Sequence, residues 1–596
     1  MITRYDKFII VFYFFFMLAI GLIFRRLSKN TSDYFRCGGA MPWWITGTSA
    51  WLATFSAWTF TGAAGAVYQS GTLILCLYYG NVIGAIFLFA YTGVRFRRTR
   101  SITWMEAVRG RYGPFTEQFY TWLKIPILLL TAAIGLNAIG VFMAAVFKVD
   151  VRATLVVLGT LVTLVAFAGG AWAVLASDFV QLCLIVTISL TTAFLAVHQP
   201  RIGCIASLIR QLPATHFHWS QIVRMEVLIP WIIVMVWVGF SSANNLENST
   251  MFLMAKSDRD ARRTAIVPIL GPLIFFIPPL VAVVTHPNLA AEFPNLRQPS
   301  EAAFVVVARD VMPQGLIGLL LCAMLGATLT NMDAAVNKGV GVFVRSFVKP
   351  ILAPTASEKF LLRLGKACTL LFGAIIIVIA MWVAKHRTLG LFALTNQVAA
   401  SLLGPLIVPL VWGIFIRKTP RWSAWTTATI GFGVAAAMQW MFDPRQFQHW
   451  AGWIRPLSGM ESDDLTLAAT ALSIVTICSA WFFVSTLFYN PADAENAERS
   501  QAFFHNLELP IDAGREGIAN YDRLIFRLIG GLCMFYGGFI LTLMLIPNSI
   551  EGRLCFLFCG SAIFGLGGLL TLKGRSSSAL VETPASQAVA MAANEK

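Results

Sequence analysis

Charge is what this chain has least of. Of its 596 residues only 12% are Asp, Glu, Lys or Arg, against about 25% in an average soluble domain. So few charged side chains cannot cover the surface of a water-soluble fold this long. Histidine is also scarce, with seven in all. No cluster of histidines and carboxylates gathers in any segment, and Ser, His and Asp form no plausible nucleophilic set, so an enzyme is not expected. The ten cysteines do not read as a disulfide framework. Most of them, such as Cys76, Cys183, Cys322, Cys368 and Cys478, lie in apolar runs, where a free thiol behaves as a small hydrophobe. Cys555 and Cys559 have a metal-like spacing but sit in an apolar run without a full ligand set. Strand-type alternation does not recur, which argues against a membrane β-barrel. The first apolar run, residues 8–24, lacks a basic leader and a small-residue cleavage site, and reads as a spanning helix rather than a cleavable signal.

What is present is apolar sequence in long runs. Hydrophobic residues make up 57% of the chain, and the mean hydropathy is +0.71. Many runs reach the ~20 residues that cross a bilayer as a helix. The expected fold class is an all-α integral membrane protein of about fifteen spans, near residues 6–25, 43–70, 73–94, 118–146, 152–169, 175–197, 226–248, 264–284, 312–345, 363–384, 389–416, 423–441, 466–489, 524–546 and 553–573. Basic loops alternate with loops poor in charge. Arg25-Arg26, Arg95 to Arg100, Lys256 to Arg263, Arg345 to Lys366, Arg417-Lys418, and Lys573 with Arg575 fall on one side. The positive-inside rule makes that side cytoplasmic, with the N-terminus outside and the C-terminus inside. Much of the +16 net charge is then topology charge near anionic headgroups. A nucleic-acid partner is not expected, since no soluble basic surface is seen. Residues 200–223 and 287–313 are expected to carry short interfacial helices outside, and the polar loop at 489–522 an amphipathic helix inside. Residues 576–596 read as a disordered tail.

Polar residues mark four of the spans. Ser177, Asp178 and Gln181 follow Gly169-Gly170 in otherwise membrane-grade sequence. An ionisable group there costs roughly 2.5–3.5 kcal/mol on insertion scales and marks an ion or solute path; the other reading of Asp178 is a helix cap at the membrane face. The second span, from Ser49 to Gly71, is crowded with hydroxyls and glycines. It reads as a broken helix, which lipid tolerates only where the break is buried or lines a cavity. The seventh span ends in Asn244, Asn245 and Glu247, and lies five places after the second. That is the offset of corresponding helices in two five-helix inverted repeats. In the ninth span, Thr330 and Asn331 offer oxygen atoms of the kind hard cations such as Na⁺ take, although a helical Thr can also bond its own i−4 carbonyl.

Several ordered motifs resemble the sodium:solute symporter family. Ser32-Asp33-Tyr34-Phe35, Gly38-Gly39 and Met41-Pro42-Trp43-Trp44 resemble the lead-in to that family's first core helix. Ser56-Ala57, Phe60, Gly62, Gly65, Tyr68 and Gly71 resemble the helix itself. Gly169-Gly170, Ala173-Val174, Ser177-Asp178 and Gln181 are similar to its Gly-Gly-x-x-Ala-Val-x-x-Thr-Asp-x-x-Gln motif. Ala255-Lys256-Ser257 through Ala261-Arg262-Arg263, and Gly413-Ile414-Phe415 through Arg417-Lys418-Thr419, complete the series. The likeness covers roughly residues 5 to 425, with a looser one to the sugar-symporter branch beyond.

The resemblance implies a five-plus-five inverted-repeat core at residues 40–418. A leading helix and lead-in loop at 1–39 would precede it, and accessory helices at 419–575 follow. It implies sodium as the coupling ion, held by the carbonyls of Leu52, Phe55 and Ala327 and the side chains of Thr330 and Asn331. The family has Ser or Thr at the last position, so Asn331 departs from its pattern. Asp178 matches a carboxylate on the ion's exit path. The solute positions implied are Trp58, Thr59, Tyr78, Asn81, Asn245 and Gln397. No unpaired Lys or Arg is identified at a cavity position, which disfavours a strongly anionic solute. The function implied is sodium-driven import of a small polar solute, a sugar or similar, in a bacterial inner membrane. The alternatives are an amino-acid or carboxylate symporter, or an uncoupled or sensor-like relative.

Overall fold

In the computed structural model, residues 3–24, 27, 31–53, 55, 57–147, 150–219, 223–269, 273–294, 296, 298–386 and 390–576 are described. Almost all of them are helical, as the uninterrupted apolar runs demand: in lipid each backbone N–H and C=O must find its partner within the chain. The helices that matter below are α1 (Arg4–Phe24), α2 (Trp43–Leu52), α3 (Ala64–Ser70), α4 (Leu75–Phe87), α5 (Pro114–Phe147), α6 (Val151–Val197), α7 (Met225–Ala243), α8 (Ile277–Thr285), α9 (Leu316–Val342), α10 (Glu358–His386), α11 (Leu391–Val398), α12 (Gly404–Trp412), α13 (Ser423–Met441), α14 (Gly459–Ser485), α15 (Ala494–Glu508), α16 (Asp522–Thr542) and α17 (Ile550–Ser576).

Ten helices among the described residues are long and apolar enough to cross a membrane, or eleven if one bent pair counts as a span. The expected fifteen therefore exceed the continuous helices. The other five segments are helical too, but they are bent, short, broken or less apolar. Residues 43–70 are broken after α2, and 264–284 fall into three short pieces. The run at 152–169 is only the first arm of α6.

The chain divides into two compact units, Met1–Ile518 and Ala519–Lys596. In the second, α16 and α17 pack against each other. In the first, α9 is the central helix: 88% of its apolar stretch is buried, against 39% for α1 and α10. It packs on α1, α5, α6 and α10. Its neighbour α6 is two arms joined at Gly170, where φ is +61° and ψ is −169°. Only glycine adopts that conformation readily. A Cβ there would also lie 2.6 Å from the Tyr34 ring, so the Gly169-Gly170 motif and the Tyr34 motif meet at one point. Elsewhere α4 and α7 cross so closely that a Cβ on Gly239 would strike the backbone of Gly80 and Asn81.

The basic loops do structural work besides any effect on topology. Arg98 and Arg100 donate to the carbonyls of Asn506, Leu507, Glu508, Leu509 and Pro510 at the C-terminal end of α15. Arg111 does the same beyond α12, at Gly413, Ile416 and Arg417. Those carbonyls have no helical partner and carry the negative end of the helix dipole, so guanidinium groups satisfy them. The polar loop at 489–522 thus carries its amphipathic helix, α15, with Phe503, Phe504 and Leu507 buried.

Candidate functional site

The site is built on the break after α2. That helix is rich in hydroxyls that bond backwards along the backbone, as Thr48 does to the Trp44 carbonyl at 2.7 Å, and such bonds compete with regular helix. It stops at Leu52. The chain turns through Ala53 and Phe55, re-forms helix at Ala57, passes through a π-helical turn at Thr59–Ala63 and continues as α3. The freed backbone groups need partners away from water, and α9 supplies two. The Ala57 N–H donates to Thr328 Oγ1 at 3.3 Å. The Ala53 carbonyl accepts from Asn331 Nδ2 at 3.3 Å. A third partner is local, with the Phe55 N–H donating to the Leu52 carbonyl at 2.9 Å. Leu52, Phe55 and Ala327 are all buried at this junction.

One helical step along α9, Thr330 faces α6. Its Oγ1 is 2.7 Å from Asp178 Oδ1 and 2.7 Å from Gln181 Oε1. Gln181 in turn donates to the Tyr13 hydroxyl on α1 at 3.2 Å. A hydroxyl has one proton for these two acceptors and keeps its lone pairs, so three oxygens gather where a hard cation is well served. Asp178 is fully buried and lies within the second arm of α6. It is not the membrane-face cap that position alone allowed. Its Oδ2 has no hydrogen-bond partner among the described residues, and Ser49 of α2 faces it. Asp178, Thr330 and Gln181 therefore form one cluster.

On the opposite side of the break lies a cavity of about 330 Å³, lined in part by Ala53, Trp58, Thr131, Asn331, Lys338 and Thr395. That volume is enough for a small solute. From α9 it takes Asn331, Ala334, Ala335 and Lys338, the i, i+3, i+4, i+7 spacing of one helix face. Thr330 and Asp333 occupy the neighbouring face, so α9 divides its polar residues between the Asp178 cluster and the cavity. Asn331 joins the break to the cavity: its amide nitrogen bonds the Ala53 carbonyl, and its oxygen faces Gly135 of α5.

Of the expected solute positions, Trp58 lines this cavity and Thr59 is buried in the π-helical turn that follows it. Asn245 is a cap: its Oδ1 accepts from the Glu247 N–H, and its Nδ2 donates to the Ser241 and Ser242 carbonyls. That ends α7 and breaks the seventh span as the second is broken. Asn81 and Gln397 are exposed and do not line the cavity. The Tyr78 side chain lies outside the described residues. The expectation that no cationic side chain reaches the cavity is corrected by Lys338. Its signal was in the sequence, seven residues after Asn331 and so two turns along the same face. Nearby, Lys124 of α5 forms a buried ion pair with Glu247. No group of three or more metal-ligating side chains occurs among the described residues.

Comparison with known proteins agrees with this architecture. The model of the sodium:solute symporter family matches residues 34–431. A sodium/sialic acid symporter of Aliivibrio fischeri is 24% identical over 433 residues, covering 68% of this chain and 82% of that protein. A sodium/proline symporter of Haemophilus influenzae is 24% identical over 434 residues, 68% of this chain and 84% of that one. A sodium/glucose cotransporter of Vibrio parahaemolyticus is 22% identical, covering 70% and 81%. Among solved structures, the substrate-bound, outward-open state of a Na⁺-coupled sialic acid symporter superposes with a TM-score of 0.64 at 18% identity. It covers 82% of this chain and 99% of that one, a likeness of fold.

Proposed function

The chain belongs to the sodium:solute symporter family and is a multi-pass, sodium-coupled membrane transporter rather than an enzyme; from that premise we propose that it imports a small polar solute by alternating access. The observation that carries the reading is the break after α2, tied to α9 by Thr328 and Asn331 beside a cavity of about 330 Å³. In this reading sodium sits at the junction, held by the carbonyls of Leu52, Phe55 and Ala327 with Thr330 and with Asn331, whose amide turns its oxygen to the ion in place of the nitrogen that now bonds Ala53. Thr330 is suited to it, because a hydroxyl that donates to Asp178 still presents its lone pairs to a cation. Asp178 receives the ion on its way to the cytoplasm.

Coupling follows from shared structure. The break forms both the ion junction and, through Ala53 and Trp58, the cavity wall. An ion that fixes the break therefore pre-forms the solute site, and by linkage the solute raises ion affinity by the same factor. The cytoplasmic side is the side of the basic loops, and the membrane is proposed to be a bacterial inner membrane. The test is uptake into proteoliposomes under an imposed gradient. Accumulation driven by inward sodium and absent with potassium is expected; equal accumulation with both ions overturns the coupling assignment.

A further inference from the structure

Lys338 is the one charged side chain among the described residues lining the 330 Å³ cavity. It also borders an adjoining cavity of about 40 Å³, with Ser49, Trp104, Thr250 and Asn337. It thus stands where the solute chamber meets the segments at residues 102–104 and 250–254. Among the described residues its ammonium makes no hydrogen bond or ion pair. The charges acting on it are those of Glu247 and Lys124, and these two already pair with each other. The three together carry one surplus positive charge. The carboxylates on the other side of α9 do not balance it: Asp333 lines a separate small cavity with Met17, Ile20 and Ala173, and Asp178 bonds Thr330. A half-buried cation without a counter-ion is expensive away from bulk water. A residue at that cost, facing an otherwise neutral solute chamber, calls for a ligand that brings the missing charge.

We infer that the solute is a small monocarboxylate and that Lys338 receives its carboxylate. This rests on the transporter reading above and names the class of solute. One surplus charge calls for a monoanion; a phosphate dianion would leave the region negative. The rest of the wall suits a compact body with few polar groups. Trp58 offers a ring face, Thr131 and Thr395 offer hydroxyl lone pairs, and Leu128, Ile134 and Val398 are apolar. The point charge is able to follow the ligand, because lysine has a flexible stem and Lys338 borders both cavities.

The test is thermal stabilisation of the full chain in lipid nanodiscs in sodium buffer, using matched pairs of probes. These are galacturonate with galactose, lactate with propane-1,2-diol, and N-acetylneuraminate with N-acetylmannosamine. A carboxylate is expected to stabilise the protein while its neutral partner does not. Lys338→Gln should weaken that carboxylate about tenfold or more, the scale of a lost hydrogen bond to a charged group. Lys338→Arg should stay within about threefold, which also guards against a misfolded Gln variant. Stabilisation by neutral probes only, by no carboxylate, or by carboxylates equally in Lys338→Gln overturns the inference. Sodium-dependent uptake of a neutral solute with silent carboxylates would sink it and leave the transporter reading intact. Lys338-dependent carboxylate binding indifferent to sodium would do the reverse.

Discussion

Replacing Thr330 by Val separates a sodium ligand from a merely structural hydroxyl. The change keeps the β-branched shape and removes one oxygen, which lies 2.7 Å from both Asp178 Oδ1 and Gln181 Oε1. A hydrogen bond to a charged group contributes about 1.5–3 kcal/mol. Two outcomes follow from where that loss falls. If the hydroxyl only supports Asp178, empty and sodium-loaded proteins lose it alike; stability drops by that amount and apparent sodium affinity is unchanged. If the hydroxyl oxygen is also an ion ligand, the loaded state loses more. The apparent sodium constant then rises by roughly one to two orders of magnitude, since about 1.4 kcal/mol is tenfold. The assay is thermal stabilisation as a function of sodium concentration, which reports binding by mass action, paired with the sodium dependence of uptake. Thr330→Ser keeps the hydroxyl and should behave as wild type. A Thr330→Val protein that is less stable but has an unaltered sodium curve would refute the ligand assignment.

Further outcomes are expected elsewhere in the same framework. Asp178→Asn keeps the shape of a fully buried side chain but removes its charge; it should slow sodium-driven uptake severalfold with a smaller effect on solute binding, and unchanged kinetics at low internal sodium would reduce Asp178 to a structural role. Asn331→Ser releases the Ala53 carbonyl from the amide that occupies it, so sodium affinity should be equal or better; a loss of tenfold or more would mean that the amide oxygen is an essential ligand. Gly170→Ala forces an L-residue to φ +61° and a methyl against the Tyr34 ring. It should cost about 1–3 kcal/mol from the backbone alone, read as a lower melting temperature. Cys204 is exposed and should react with an impermeant thiol reagent in intact cells. An Arg515→Cys variant, at a side chain 89% exposed, should react only after permeabilisation, and the opposite pattern would invert the proposed orientation.

What the sequence determined by itself is what depends on composition and on neighbours in the chain. With 12% charged residues and long apolar runs without strand-type alternation, the chain reads as a helical membrane protein, because lipid leaves backbone groups no partner outside a helix or a closed barrel. The hydroxyl-rich stretch after Ser49 announced a break, and the helix does stop at Leu52, since those side chains compete locally with the helical bond. The two spans expected on either side of Gly169-Gly170 are the two arms of α6, and the bend between them falls at Gly170. Tertiary structure decided what depends on how each helix is rotated against its neighbours. Thr330 and Asn331 are adjacent in sequence, yet about 100° of helical turn sends one to Asp178 and the other to the break and the cavity. Asn245 and Gln397 carry suitable chemistry, but one is spent in capping α7 and the other faces outward. Lys338 stood in plain view as one lysine in an apolar run. Only the packing of α9 against its neighbours shows that it opens onto the 330 Å³ cavity while Lys124 takes Glu247. A side chain's type is encoded locally. Its partner is set by residues hundreds of positions away, and that is why the chemistry was legible before the site was.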